Sequence, residues 1–295
     1  MNVKNPNWID WREYMPEEKA NTHEFGSVAV LEKFTFLLLN QAAFVDMVPV
    51  STELRRVDLA RPLLMGIRGN AHAAVKLAKE NFGNEVYPLL RSLIERIVTF
   101  YYLQFCDESE LNNYVDYANQ KTYRRFAREI SINGKNFSVQ ASSVPDLDQY
   151  PDLKRAVDKY TSKKSKRAIT RWSGTSIEQK LGVIDAGGEV DIMLLMMALV
   201  AIYDDGSEAL HGTLYGCILH LGMYQPGVDL KEASDVCKHH CGQMTMAFFL
   251  FTVLIGGVIE FLAKKIELGD LASHAKDITD QLRDILGKTQ GAQST

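Results

Sequence analysis

The chain has 295 residues, of which 46% are apolar and 24% charged, and its formal net charge is −4. That length buries a sizeable core without disulfide or metal staples, and the balance is that of an ordinary globular protein. The mild acidity excludes a polyanion binder that works by bulk charge, and four cysteines in so long a chain exclude a disulfide framework.

Residues 1–24 are polar and acidic with no apolar stretch, so we expect no signal peptide and a reducing, cytoplasmic setting. From there helical periodicity dominates over alternation. Helices are predicted over 25–48 and 52–81, the second with a break or kink near Ala60–Arg61, ahead of Pro62. A third is predicted over 85–105, with Pro88 in its first turn. A fourth runs over 108–130, capped by Asp107, acidic at its start and basic at its end, the order that complements the helix dipole. Residues 131–148 read as a loop or, through Asn133-Gly134, a short hairpin, and any two-part division of the chain is expected there or just beyond. Further helices follow over 151–163, 176–184 and 190–203. Gly206 is expected to break the last of these before a helix over 207–221. A long helix over 228–268 and an amphipathic one over 271–286 precede a polar tail, 287–295, read as disordered. The fold expected is one all-α domain of about ten helices over 25–286, with buried central helices.

Residues 241–259 carry no charge and are just long enough to span a bilayer. A central helix buried on all sides reads the same way, and Glu260 follows within the apolar stripe, so a core helix is the expectation and a membrane-associated protein the alternative.

The third helix is apolar on nearly every face yet carries Arg91, Glu95 and Arg96. Buried charge must be paired, so polar partners are needed from elsewhere. Tyr203, Ser207 and His211, spaced by four behind an apolar run, are the candidates, with Glu208 beside them. Such a group is either a structural network that fixes helix register or a site that joins an arginine for anion stabilisation, a histidine for proton transfer and a carboxylate.

Arg91-Ser92-Leu93-Ile94-Glu95, then Trp172-Ser173-Gly174, then Tyr203-x3-Ser207-x3-His211-Gly212, resembles a bacterial all-helical family of unknown function, number 5677, over roughly residues 55–225. The resemblance marks Arg91, Glu95, Trp172, Ser207 and His211 as the positions of interest and implies no settled activity. A more distant likeness, of architecture and residue type only, is to HEPN-type helical ribonucleases. No local Arg-x4–6-His pair is present, so Arg91 and His211 would have to meet across helices.

Lys154, Arg155, Lys159, Lys163, Lys164, Lys166, Arg167 and Arg171, with Trp172 beside them, form a basic strip that either binds nucleic acid or is balanced by nearby aspartates. Cys237, His240 and Cys241 share a helical face but lack a fourth ligand, so they are read as core residues, and no metal or other cofactor is expected. His72 is likewise read as a core histidine. No phosphate-loop, dinucleotide, zincin or nucleophile-elbow motif is present.

Two expectations result. One is a metal-independent, ribonuclease-like effector of stress or phage defence, in which Arg91 stabilises charge, His211 is acid or base, Glu95 orients, Tyr203 and Ser207 complete the site, and the strip holds RNA. The other is a non-catalytic interaction protein with the same residues as a structural network. A homodimer suits either.

Overall fold

The structure, a computed structural model, describes residues 28–45, 54–80, 82–141, 144–162, 168–218 and 233–292. The expected N-terminal polar segment lies outside them. Helices α1 (Val28–Val45), α2 (Arg55–Lys79), α3 (Gly83–Phe105) and α4 (Glu108–Arg124) are followed by a hairpin of β1 (Ala127–Ile132) and β2 (Lys135–Gln140). After it come α5 (Pro151–Lys159), α6 (Ile177–Ala186), α7 (Ile192–Ala198), a π-helical turn (Leu199–Tyr203), α8 (Asp204–His211), α9 (Leu214–Ile218), α10 (Ala233–Lys265) and α11 (Gly269–Ala292). Among the described residues the chain is all-α apart from that hairpin and a single antiparallel bridge between Thr161 and Ala168. Its contacts gather into two compact units, one of residues Met1–Tyr101 and Ile184–Thr295 and one of Tyr102–Val183. The divisions fall inside α3 and α6, not in the loop-like stretch after residue 131.

In the first unit α10 packs against α1 and α11, and α1 also against α2. Phe34, Phe248, Phe251, Ile255 and Ile259 are fully buried, and Phe34 meets Phe249 edge-on with ring centroids 5.8 Å apart. Thr245 and Thr252 satisfy their buried hydroxyls by donating to the Cys241 and Phe248 carbonyls, each at 2.6 Å. By length and composition the stretch His239–Lys265 is apolar enough to cross a membrane, and 72% of its most apolar window is buried inside the fold.

In the second unit Asp107 caps α4 by accepting from the Glu110 amide at 2.8 Å. The helix ends at Arg124, short of the expected 130, because the chain turns into β1, which pairs antiparallel with β2. Asn133 and Gly134, at φ 51° and 77°, make the two-residue turn that joins the strands. Ser176 and Gln179 form a reciprocal cap at the start of α6, Gln179 Oε1 accepting from the Ser176 amide at 2.8 Å and Ser176 Oγ from the Gln179 amide at 3.3 Å.

Pro62 lies inside α2, which runs through it to Lys79 without a break, and its ring nitrogen has no hydrogen to offer the Asp58 carbonyl. Three expectations are corrected. Gly206 does not break the chain, which passes from the π turn directly into α8. The stop is Gly212, left-handed at φ 64°, after which α9 is separate. The last helix continues to Ala292, past the expected end at 286.

Candidate functional site

The apolar run of α7 and the π turn buries one face, Leu195, Ala198 and Ile202, and leaves Met193, Met197 and Val200 exposed, so it is amphipathic and not buried throughout. The same rotation sets the next turn. Gly206 sits where α8 crosses α3, and a Cβ there would lie 2.7 Å from both Arg91 Cβ and the Tyr87 carbonyl oxygen. Only a glycine lets the two backbones approach this closely. The approach brings Tyr203 and Ser207, on the flank of that crossing, up to Arg91.

Arg91 donates from Nη1 to Ser207 Oγ at 2.7 Å, from Nη2 to the Tyr203 hydroxyl at 3.4 Å and from Nε to Glu95 Oε1 at 3.3 Å. Tyr203 in turn donates to Glu95 Oε1 at 3.0 Å, and the guanidinium carbon lies 4.8 Å from the Tyr203 ring centroid. Burial, reinforced by the Glu95 charge, raises the Tyr203 hydroxyl above its usual pKa, which keeps it a donor. Arg91, Tyr203 and Glu95 close a ring of bonds, with Ser207 bonded to Arg91 outside it, between segments more than a hundred residues apart in sequence.

The cluster is less buried than an apolar α3 implies. The Arg91 side chain is 18% exposed and that of Glu95 47%. The expected fully buried charge is therefore corrected to a guanidinium at the surface of the fold with a carboxylate facing water. A guanidinium has five N–H donors, and the cluster engages three of them. His211, one turn beyond Ser207, is exposed, and no hydrogen bond joins it to the cluster among the described residues. Glu208 turns away, accepting from Thr213 Oγ1 at 2.7 Å, and Thr213 caps α9 by accepting from the Gly216 amide at 3.0 Å. Arg96 leaves the group as well. Its guanidinium occupies the space over Gly66 of α2, where a Cβ would collide with it, and its Nε lies 3.4 Å from Ser92 Oγ.

The basic strip belongs to the second unit. Arg155 and Lys159 both reach the buried Asp116, at 3.2 and 3.0 Å, and Lys154 pairs with Asp148. Asp116 on α4 ties α5 down through those two bases, an interaction that no spacing within the strip announces. Arg171 is exposed, while Lys163, Lys164, Lys166 and Arg167 lie outside the described residues. Trp172 packs against Tyr102 and Tyr114, with the Lys180 ammonium 4.8 Å from its ring centroid. Its carbonyl and that of Asn113 each lie 3.0 Å from the buried Tyr160 hydroxyl.

His240 and Cys241 are buried, whereas the Cys237 side chain lies outside the described residues. His72 is exposed on α2, which corrects its reading as a core residue.

A family model described as a family of unknown function (DUF5677) matches residues 58–225, more than half of the chain. The chain belongs to the DUF5677 family. The matched span includes Arg91, Glu95, Trp172, Tyr203, Ser207 and His211. No curated protein matches the chain, and no solved structure does.

Proposed function

We propose that this DUF5677 protein acts on phosphodiesters, with RNA as the substrate class, at the Arg91 cluster. The observation that carries the reading is that Ser207, Tyr203 and Glu95 hold the Arg91 guanidinium from three directions while two of its five N–H groups have no acceptor among the described residues and are left for an incoming anion. His211 lies one turn along α8 from Ser207, about 6 Å of helix rise. It is the histidine nearest to Ser207 in sequence.

In this reading His211 takes the proton from a ribose 2′-hydroxyl, whose oxygen attacks phosphorus. The two open N–H groups of Arg91 bind the non-bridging oxygens as negative charge builds up. The 5′-oxygen leaves and takes a proton from water, giving a 2′,3′-cyclic phosphate and a 5′-hydroxyl. Glu95, Tyr203 and Ser207 act through Arg91 by fixing its plane. Of the basic strip, Lys154, Arg155 and Lys159 are engaged with aspartates, and the reading does not use them.

A second reading, a structural clasp in a non-catalytic protein, is favoured by one observation. Arg91, Tyr203 and Glu95 already satisfy one another across α3 and the π turn. Induction of the wild type, Arg91→Ala and His211→Ala in cells, with growth followed and total RNA run on a gel, separates the two. Growth arrest with RNA fragmentation, lost in both soluble variants, is expected from the phosphodiester site. Intact RNA with Arg91→Ala unfolded at growth temperature is expected from the clasp.

A further inference from the structure

On the other flank of the Gly206 crossing lies a cavity of about 370 Å³, within the range of small-molecule sites. None of Arg91, Glu95, Tyr203 and Ser207 lines it. Its polar lining is Tyr87 of α3, Asp205 of α8, and His239 and Gln243 of α10, and its walls include Ile202, Ala247 and Met246. His239 Nε2 and Gln243 Oε1 are buried atoms with no hydrogen-bond partner among the described residues. Buried polar atoms of that kind, where they belong to side chains that line a cavity, leave bonding capacity that an occupant can complete. Asp205 accepts from the Tyr215 hydroxyl at 3.0 Å through one oxygen and keeps acceptor capacity on the other. Burial holds the His239 imidazole below its usual pKa and lifts that of the Asp205 carboxyl, so both are poor hosts for charge of their own.

We propose that this cavity is a second ligand site, which takes a small amino-bearing heterocycle of nucleobase size. Asp205 brings a carboxylate, Gln243 an amide and His239 an imidazole to the cavity beside the Tyr87 side chain, and among the described residues no lysine or arginine lines it. Their complement is a ligand rich in N–H donors, and the aliphatic walls suit a flat apolar ring. The Gln243 amide matches an amino group beside a ring nitrogen, since it accepts from the first and donates to the second, the pairing by which glutamine reads adenine. A ring that carries an oxo group in that place sets a carbonyl against the Asp205 and Gln243 oxygens. The site does not depend on the phosphodiester reading.

The test is titration calorimetry of the full chain with adenosine and cytidine against their oxo counterparts, inosine and uridine. At least one amino nucleoside is expected to bind ten or more times tighter than its oxo counterpart. Gln243→Leu, which removes the amide pair, and Met246→Trp, placed at a 50% exposed wall residue where a larger side chain narrows the cavity without disturbing the core, are each expected to weaken that binding tenfold or more. His211→Ala, at an exposed residue that does not line the cavity, is expected to leave it unchanged, which keeps this site separable from the other. Absence of binding by both amino nucleosides at millimolar concentration, equal binding of the oxo forms, or binding unaffected by both cavity variants would overturn the proposal.

Discussion

Gly206→Ala isolates the geometry on which the candidate site rests. An added methyl at Gly206 lies 2.7 Å from Arg91 Cβ and from the Tyr87 carbonyl oxygen, where about 3.4 Å is ordinary contact. Neither neighbour is the loose end of a side chain, so α8 and α3 must part by several tenths of an ångström. Alanine raises helix propensity by about 1 kcal/mol over glycine. Overpacking of this kind costs about 1–3 kcal/mol, so the expected net change is a loss of about 0–2 kcal/mol. The same separation stretches the 2.7 Å Arg91–Ser207 bond toward the limit of hydrogen bonding. Gly182 in α6 has nothing within 4 Å of its Cβ position, and Gly182→Ala is the control, expected to stabilise by about 0.5–1 kcal/mol. Urea denaturation followed by circular dichroism reads both. A Gly206→Ala protein as stable as Gly182→Ala would refute the close-approach argument.

Other consequences can be checked in the same way. Gly216→Ala drives a methyl to 2.2 Å from the Glu208 carbonyl and is expected to cost about 1–3 kcal/mol, seen as a lower urea midpoint. Asp116→Ala removes the buried carboxylate shared by Arg155 and Lys159. Because both bases rehydrate readily, the loss is expected to be about 1–2 kcal/mol, and an unchanged melting temperature would contradict the role given to Asp116. His239 has a folded-state pKa below its unfolded value near 6.5, so its contribution to stability is present above pH 6.5 and is lost as pH falls through the folded value. His239→Gln is therefore expected to flatten the acid side of a melting-temperature profile below pH 6.5, and an equally steep decline would count against it.

The hairpin turn and the Asp107 cap were legible because each is a local pattern, Asn-Gly with positive φ and an aspartate ahead of an acidic first turn. The meeting of Arg91 and Glu95 with Tyr203 and Ser207 was legible for a different reason. Charges in an apolar helix require partners, and residues four apart share a face. What spacing does not show is depth, so Glu95 was placed in the interior although it faces water, and His211 was grouped with residues it does not touch. Gly206 was read as a helix breaker because propensity is local, whereas its role comes from the backbone of α3 across from it. The cavity of Asp205, His239 and Gln243 draws on separate elements with no common spacing, and only packing brings them together.

The phosphodiester reading is tested most directly by RNA cleavage with purified protein, comparing the wild type with Arg91→Ala and His211→Ala and melting each sample alongside. Cleavage that leaves 2′,3′-cyclic phosphate ends, reduced a hundredfold or more in both variants while each melts within a few degrees of the wild type, is the predicted result. An inactive wild type, or cleavage undiminished in either variant, would contradict it.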